Sequence, residues 1–194
     1  MARSRYPGAS TLAALLLAGF AAGGAGAQPY GFEDIRLGAS LLRLAHDFDF
    51  RDLHAALAQQ QEQKTAKPDF GRRGYGCVHR DDPHADVTCV SHDERVGGAE
   101  AREFRLHFLE GVLQQFSISA EMRHFDTVMR EMDGRYGAPQ VDAGAGPPVY
   151  HWDNGVSKIM GHGGKDLVFI SFELADYANA VKRKQGGVRQ NECR

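Results

Sequence analysis

REFRLHFLEGVLQQFSISA, residues 102–120, carries the clearest signal for the fold of this chain. Apolar residues alternate with polar ones on both sides of a central Glu-Gly pair; they are Phe104, Leu106 and Phe108 before it and Val112, Phe116 and Ile118 after it. This alternation predicts a β-hairpin with one buried face. A two-residue turn would put the two apolar sets on opposite faces. We therefore predict a three-residue loop, 109–111, with Gly111 left-handed in a bulge, which pairs Phe108 with Val112 and Phe104 with Phe116.

The other face of this hairpin is polar and is carried by Arg105, His107, Gln115 and Ser117. Antiparallel sheets commonly bury one face and leave the other in contact with solvent. These four side chains are therefore candidate binding residues. They would meet a partner while the apolar face packs under helices.

Residues 1–27 have the pattern of a secretory signal peptide. Arg3 and Arg5 precede an apolar run at 11–20, and Ala25-Gly26-Ala27 is a small-x-small cleavage site. The run is shorter than the roughly 20 residues that cross a bilayer, which disfavours a retained membrane anchor. The pattern predicts a periplasmic or secreted protein. Its mature chain would have a single domain at 28–184, a flexible tail at 185–194 and no transmembrane segment.

The charge of the mature chain argues against nucleic acid as a partner. Cleavage after Ala27 removes Arg3 and Arg5 and no acidic residue, so the net charge changes from -2 to -4. Nucleic-acid binding normally requires a basic stripe. The one basic excess is C-terminal, at Lys182, Arg183, Lys184, Arg189 and Arg194. A solvated tail explains this excess better than a membrane or polyanion contact.

Three cysteines in an exported chain indicate disulfide chemistry. Cys77 and Cys89 lie in two strand-like segments, 74–80 and 85–92, which are joined by a turn at 81–84. A hairpin centred on Pro83 puts the two cysteines opposite each other, close enough for a disulfide. Cys193 is left over, and a free thiol, a mixed disulfide and an intermolecular link stay open as alternatives.

The rest of the chain alternates helical and strand patterns. Ser40 is a predicted N-cap for a first helix, and a second helical pattern starts at Asp52. The remaining predicted elements are a helix at 122–136, a loop at 140–148, strands at 149–152, 156–160 and 167–172, and a helix at 173–184. The predicted class is α+β, with short helices on one face of an antiparallel sheet. Two half-repeats, 31–120 and 121–184, would each supply helix and sheet.

Several short motifs resemble a known superfamily. They are Ile35-Arg36-Leu37-Gly38-Ala39-Ser40, Phe108-Leu109-Glu110-Gly111-Val112-Leu113, Tyr136-Gly137-Ala138-Pro139 and Trp152. Their layout over residues 31–183 resembles small envelope proteins with the β-lactamase-inhibitor-like fold, a superfamily that includes outer-membrane assembly lipoprotein domains. The resemblance implies helices packed on one face of an antiparallel sheet and a binding or scaffolding role. This chain differs from the lipoprotein members because it has no lipid-attachment cysteine.

Catalytic motifs are mostly absent from the sequence. No serine lies in a Gly-x-Ser-x-Gly elbow, and the glycine-rich segment 161–165 lacks the Ser or Thr that follows the lysine of a phosphate loop. Asp47 and Asp49 would form an acid and base pair, but polar residues between Phe48 and Phe50 are the simpler interpretation. Trp152 is interpreted as an exposed anchor for a partner or as a half-buried residue where a strand meets a helix, and both stay open.

Histidines supply the main alternative chemistry. His79, His84 and His92 surround the predicted disulfide hairpin, with Asp81, Asp82 and Asp86 nearby, and imidazole with carboxylate suits zinc or copper. We expect an exported module that binds a protein of the envelope, without a cofactor and without catalysis. The alternative is a metal-binding or metal-dependent periplasmic enzyme that uses these three histidines. A hydrolase built from residues scattered along the sequence is a third hypothesis.

Overall fold

The structure is a computed structural model that describes residues 27–48, 50, 51, 53, 54, 58 and 74–191. The predicted signal peptide lies almost entirely outside these residues, as do Asp49, most of the helix predicted from Asp52, and Cys193.

The first half of the chain builds a hairpin, a helix and most of a sheet. Its elements are β1 (Gly31–Phe32), β2 (Ile35–Arg36), α1 (Leu41–Asp47), β3 (Phe50–Arg51), β4 (Tyr75–Asp82), β5 (Ala85–Ser91), β6 (Arg95–Val96), β7 (Ala99–Leu109) and β8 (Val112–Glu121). The predicted N-cap of α1 is confirmed, because Ser40 Oγ accepts a hydrogen bond from the Arg43 amide at 3.2 Å.

The second half repeats the order of helix and then strands. A 3-10 turn (Met122–His124) leads into α2 (Phe125–Tyr136), and the chain continues as β9 (Gln140–Asp142), β10 (Val149–Asp153), β11 (Ser157–Gly163), β12 (Leu167–Leu174) and α3 (Tyr177–Asn191). β9 lies in the segment predicted as a loop, where it pairs with β10. α3 starts later than predicted because Glu173 and Leu174 belong to β12, and it continues to Asn191 in the segment predicted as a tail.

The large sheet has the order β3-β4-β5-β7-β8-β12-β11-β10-β9, with β6 beside β7. All its pairs are antiparallel except β3 with β4. Each half contributes an antiparallel run, and the last strands of the two halves, β8 and β12, pair with each other. A duplicated unit would produce this strand order, and the half-repeat hypothesis stays a prediction.

The β7–β8 hairpin differs from its predicted register. Leu109 pairs with Val112, so the loop has two residues, Glu110 (φ 55°) and Gly111 (φ 72°), both of which adopt the left-handed backbone of a type I′ turn. The predicted three-residue loop and its pairings are therefore wrong. The register shifts between His107 and Phe108, which leaves Gln114 as an extra residue in a bulge.

Beyond Gln114 the bulge restores the predicted common face despite the shorter turn. Val112 precedes the bulge and lies opposite Leu109, so its predicted place on the buried face is wrong. Phe104 lies opposite Ile118 and Leu106 opposite Phe116. Phe104, Phe108 and Phe116 are at most 1% exposed, so the prediction that this face is buried is confirmed. An extra residue in one strand reverses the facing of every later residue, and here it compensates for the two-residue turn.

α1 and α2 pack on this buried face. Leu41 and Leu44 of α1 and Val128 and Met132 of α2 belong to the same apolar cluster as Phe104. The predicted α+β class is confirmed. α3 packs separately, because Tyr177, Ala180 and Val181 form a second cluster with Leu109, which follows Phe108 in β7 and so faces the opposite side.

The predicted disulfide joins β4 and β5. Cys77 and Cys89 are directly opposite in the register, are disulfide-bonded and are almost completely buried. The hairpin turns at Pro83 and His84, because Asp82 pairs with Ala85. The bond therefore fixes the register of the sheet at the β4–β5 hairpin.

We predict that removing this bond destabilises the domain by about 3 kcal/mol, the chain-entropy cost expected for a closed loop of this length. Urea unfolding of the oxidised wild type, the reduced wild type and the Cys77→Ala/Cys89→Ala variant measures the difference. Reductant should lower the midpoint of the wild type and leave that of the variant unchanged. Equal stability of the oxidised and reduced wild type would contradict the prediction.

Candidate functional site on the open face of the sheet

The side of the sheet opposite the phenylalanines is partly exposed, and we call it the open face. Strand alternation puts one residue in two of each strand there. From β7 to β10 its central side chains are Glu103, Arg105, His107, Gln115, Ser117, Ser119, Phe169, Ser171, Glu173, Lys158, Met160, His162, His151 and Asp153, with Leu109, Val112, Glu121, Leu167 and Val149 towards the strand ends. On β4 and β5 the same side carries Val78, Thr88 and Val90, which are buried, so the exposure ends at β7.

Cross-strand pairing arranges these side chains in rows. The first row runs His107, Gln115, Glu173, Lys158 and Asp153, and each residue lies directly opposite the next. The second row runs Arg105, Ser117, Ser171, Met160 and His151 in the same way. The four binding residues predicted from the β7–β8 hairpin therefore lie together on one face, as two opposed pairs.

Two depressions lie side by side on the open face. The first, with a volume of about 530 Å³, is bordered by Asp142, His151, Asp153, Lys158 and Glu173. The second, of about 380 Å³, is bordered by Gln115, Ser117, His162 and Phe169. Met160 and Ser171 line both, so the two depressions adjoin, and we call them together the groove. Ser117 and Ser171 lie at the centre of β8 and β12, and their small side chains help to form the depression.

The groove also has apolar contact area. Met160 is 43% exposed and Phe169 is 39% exposed, high values for large apolar side chains. The Phe169 ring stacks on the imidazole of His162 across the strand pair, with ring centroids 5.4 Å apart. The surface therefore combines exposed apolar atoms with polar groups, as the central parts of protein interfaces do.

Arg105 and His107 are partly buried on the open face. Arg105 Nη2 donates to Glu103 Oε2 at 2.8 Å, while Arg105 Nε is buried and has no acceptor among the described residues. His107 Nδ1 lies 3.4 Å from the Thr88 hydroxyl. Burial lowers the pKa of His107 to about 4, and the neighbouring Arg105 charge acts in the same direction.

Trp152 is not an exposed anchor. It is 4% exposed, and its indole Nε1 donates to the Gly137 carbonyl at 2.6 Å, where α2 ends. Of the two interpretations from the sequence, the structure favours packing of a strand residue against a helix, with deeper burial than we expected. The bond satisfies a carbonyl at the end of α2.

The three histidines proposed as metal ligands do not come together. His79 is buried and its Nδ1 lies 2.8 Å from the Asp86 carbonyl, whereas His92 is exposed with its Nδ1 2.5 Å from the Arg102 carbonyl. His84 is exposed in the β4–β5 turn. Across residues 27–48 and 74–191, no group of three or more His, Cys, Asp or Glu side chains is arranged to hold a metal ion. The metal hypothesis thus gains no geometric support.

α3 packs beside the turns of the β4–β5 and β7–β8 hairpins. The Tyr177 hydroxyl donates to the His84 carbonyl at 3.0 Å, and Lys184 Nζ lies 2.7 Å from Asp86 Oδ1 and donates to the Asp82 carbonyl. Asp86 Oδ2 also accepts the Glu110 amide at 2.6 Å. One partly buried ion pair therefore ties α3 to both hairpin turns.

The β10–β12 part of the open face was missed from the sequence. Phe169 lies between Val168 and Ile170 in an almost continuous apolar run, which does not indicate which residues are exposed. The alternation of Lys158, Met160 and His162 with Ile159 and Gly161 was an available signal. It identifies a face only once the neighbouring strands are known.

The described residues contain no helix that is both long and apolar enough to cross a membrane. No protein-family model matches the chain, and neither does any curated protein. Among solved structures, the crystal structure of a GTP-binding regulator from Thermotoga maritima is similar at 16% identity and a TM-score of 0.35. That match covers 49% of this chain and 70% of the other. A likeness this distant carries no information about function.

We predict that His107 makes stability depend on pH between about 6.5 and 4. The folded state keeps the imidazole neutral down to a pKa of about 4, whereas the unfolded chain protonates it near its ordinary pKa of 6.5. Stability contributed by neutral His107 is complete above pH 6.5 and is lost as the pH falls toward 4. The loss is at most about 3 kcal/mol.

Urea unfolding of the wild type and His107→Gln at about pH 7.5 and about pH 4.5 measures this contribution as the difference in pH sensitivity between the two proteins. The carboxylates and the other histidines are present in both proteins, so their contributions to the pH dependence of stability cancel in the comparison. Identical pH sensitivity would contradict the prediction, and so would an imidazole of His107 that titrates near 6.5 in the folded protein by NMR.

Proposed function

We propose that this chain is an exported, periplasmic binding module that recognises a protein of the cell envelope through its open face. The observation that carries the proposal is the groove over β8, β12, β11 and β10. It exposes two large apolar side chains among polar groups, on the part of the open face that the domain does not bury over β4 and β5 or against α3. A protein partner fits this mixture, because protein interfaces combine aromatic or Met contacts with a polar rim.

Arg105 supports the same function. Its side chain is 37% exposed, so the accessible part of the guanidinium can donate to a carbonyl or carboxylate of a bound protein, whereas Nε itself is buried. Arginine is also one of the residue types enriched where protein interfaces bind most strongly.

The export part of the proposal is supported by the N-terminal sequence and by the disulfide. Arg3, Arg5 and the apolar run 11–20 have the pattern of a signal peptide, and the Cys77–Cys89 bond needs an oxidising compartment. We do not propose a metal-dependent activity, because no specific observation favours it over binding.

The proposal predicts that a bulky charge at the centre of the groove abolishes partner binding. The mature chain from Gln28, immobilised and exposed to envelope extract of the producing cells, should retain one partner in roughly stoichiometric amount. Ser117→Arg should reduce retention at least about tenfold, because the new side chain fills the depression. Asp133→Arg adds the same side chain at an exposed position of α2, on the other side of the sheet. This variant should retain the partner fully.

Equal retention by Ser117→Arg and Asp133→Arg would contradict binding through the open face. Recovery of no stoichiometric partner by the wild type would contradict the function itself. Thermal unfolding of both variants establishes that each remains folded, which separates a blocked groove from a damaged domain.

A further inference from the structure

We propose that the partner's contacting segment places a lysine or arginine side chain in the first depression, between β9 and β12, next to an apolar residue that packs on Met160. The inference rests on the proposed function and specifies the partner chemistry for that same face. We call the depression bordered by Asp142, Asp153, Lys158 and Glu173 the acidic groove.

The acidic groove carries an excess of negative charge. Three carboxylates, those of Asp142, Asp153 and Glu173, border the acidic groove, and Lys158 is the one Lys or Arg among its lining residues. The strand register puts Asp153 and Glu173 on either side of Lys158, as its direct cross-strand partners. The local excess is therefore negative, and a cationic side chain is the complement that relieves it.

Lys158 leaves much of this charge uncompensated. Its Nζ lies 3.9 Å from Asp153 Oδ2, with both side chains more than half exposed. An exposed pair at this distance is weak and easily exchanged. Glu173 is more enclosed, and its partial burial raises the pKa of its carboxyl, which Lys158 only partly opposes. A guanidinium or ammonium group from a partner would replace the water that Glu173 has lost.

The apolar part of the motif follows from the strand spacing. Met160 is two residues from Lys158 in β11 and on the same face, about 7 Å away along the strand. Two neighbouring side chains of one short segment of the partner can span the distance from Lys158 to Met160. A basic residue beside an apolar one therefore reaches Glu173 and Met160 together. The carboxylates would repel an acidic residue in the same place.

The other half of the open face does not compete for this basic residue. Glu103 is paired with Arg105 at 2.8 Å, so its charge is already compensated. Among the charged residues of the open face, the acids that lack full compensation lie on β9, β10 and β12, around Lys158. The inferred contact therefore also sets which end of the groove the basic part of the partner occupies.

Two capped pentapeptides, acetyl-Gly-Leu-Arg-Leu-Gly-amide and the same peptide with Glu in place of Arg, are the probes. Each is titrated to about 5 mM into the isotope-labelled mature chain, a range that detects the millimolar affinity expected of so short a ligand. The Arg peptide should shift amide resonances of β10, β11 and β12 and bind at least about fivefold more tightly than the Glu peptide.

The Asp153→Asn/Glu173→Gln variant should weaken binding of the Arg peptide at least about fivefold. Both changes keep the size of the side chain, remove its charge and replace one acceptor oxygen by a donor. Asn at position 153 also keeps an oxygen for the Gly155 amide that Asp153 Oδ1 now accepts at 2.7 Å. Asp126→Asn is the matched control, because it removes a carboxylate at an exposed position of α2. It should leave peptide binding unchanged.

Equal affinity for the two peptides would overturn the inference, as would no shift at the highest concentration, shifts confined to other strands, or no effect of the double variant. Self-association of the mature chain that the double variant abolishes would also overturn it, because the occupant would then be basic residues of a second copy. If the double variant retains the envelope partner while Ser117→Arg loses it, the inference fails and the proposed function survives. Loss of neither would refute the proposed function.

Discussion

Three stacked phenylalanines hold the two halves of this sheet together. Phe104 of β7, Phe116 of β8 and Phe172 of β12 lie on adjacent strands, with ring centroids 5.6 Å and 4.1 Å apart and nearly parallel planes. Because β8 ends the first half and β12 ends the second, the stack crosses the junction. Phe32 and Tyr136 contact it edge-on from the N-terminal hairpin and from α2. Phe rings bury a large apolar area, so pairing of β8 with β12 and burial of the core stabilise each other.

The stack forms only if both strands of the β7–β8 hairpin present their rings to the same side. The Glu110-Gly111 turn by itself would send the two apolar sets to opposite sides, and the extra residue Gln114 corrects this. Our three-residue loop solved the same problem at a different position. Beyond the bulge the two solutions differ by two residues in register, and a shift of two preserves the facing of each residue there. Alternation in the sequence therefore determines which residues are buried, but not which residues are opposite each other.

Features that depend on neighbours in sequence were predictable, and features that depend on distant strands were not. The Ser40 cap and the Cys77–Cys89 bond each follow from a few adjacent residues and a turn. The place of Arg105 and His107 on the polar side likewise follows from the alternation of adjacent residues. The groove itself arises from pairing of β8 with β12, which brings Ser117 opposite Ser171, and no local pattern predicts that partnership. Trp152 was ambiguous because its burial depends on where α2 ends.

The buried stack also determines the open face, since each ring fixes its strand neighbours on the other side. Burial of Phe116 and Phe172 places Ser117 and Ser171 outward at the centre of the sheet, and their small side chains leave the depression between the flanking strands. Charge is then distributed unevenly across that depression. The Arg105–Glu103 pair is compensated, whereas Asp142, Asp153 and Glu173 around the single Lys158 leave two negative charges in excess. The negative charge distinguishes one end of the groove from the other. A partner complementary in both shape and charge would therefore dock in one orientation.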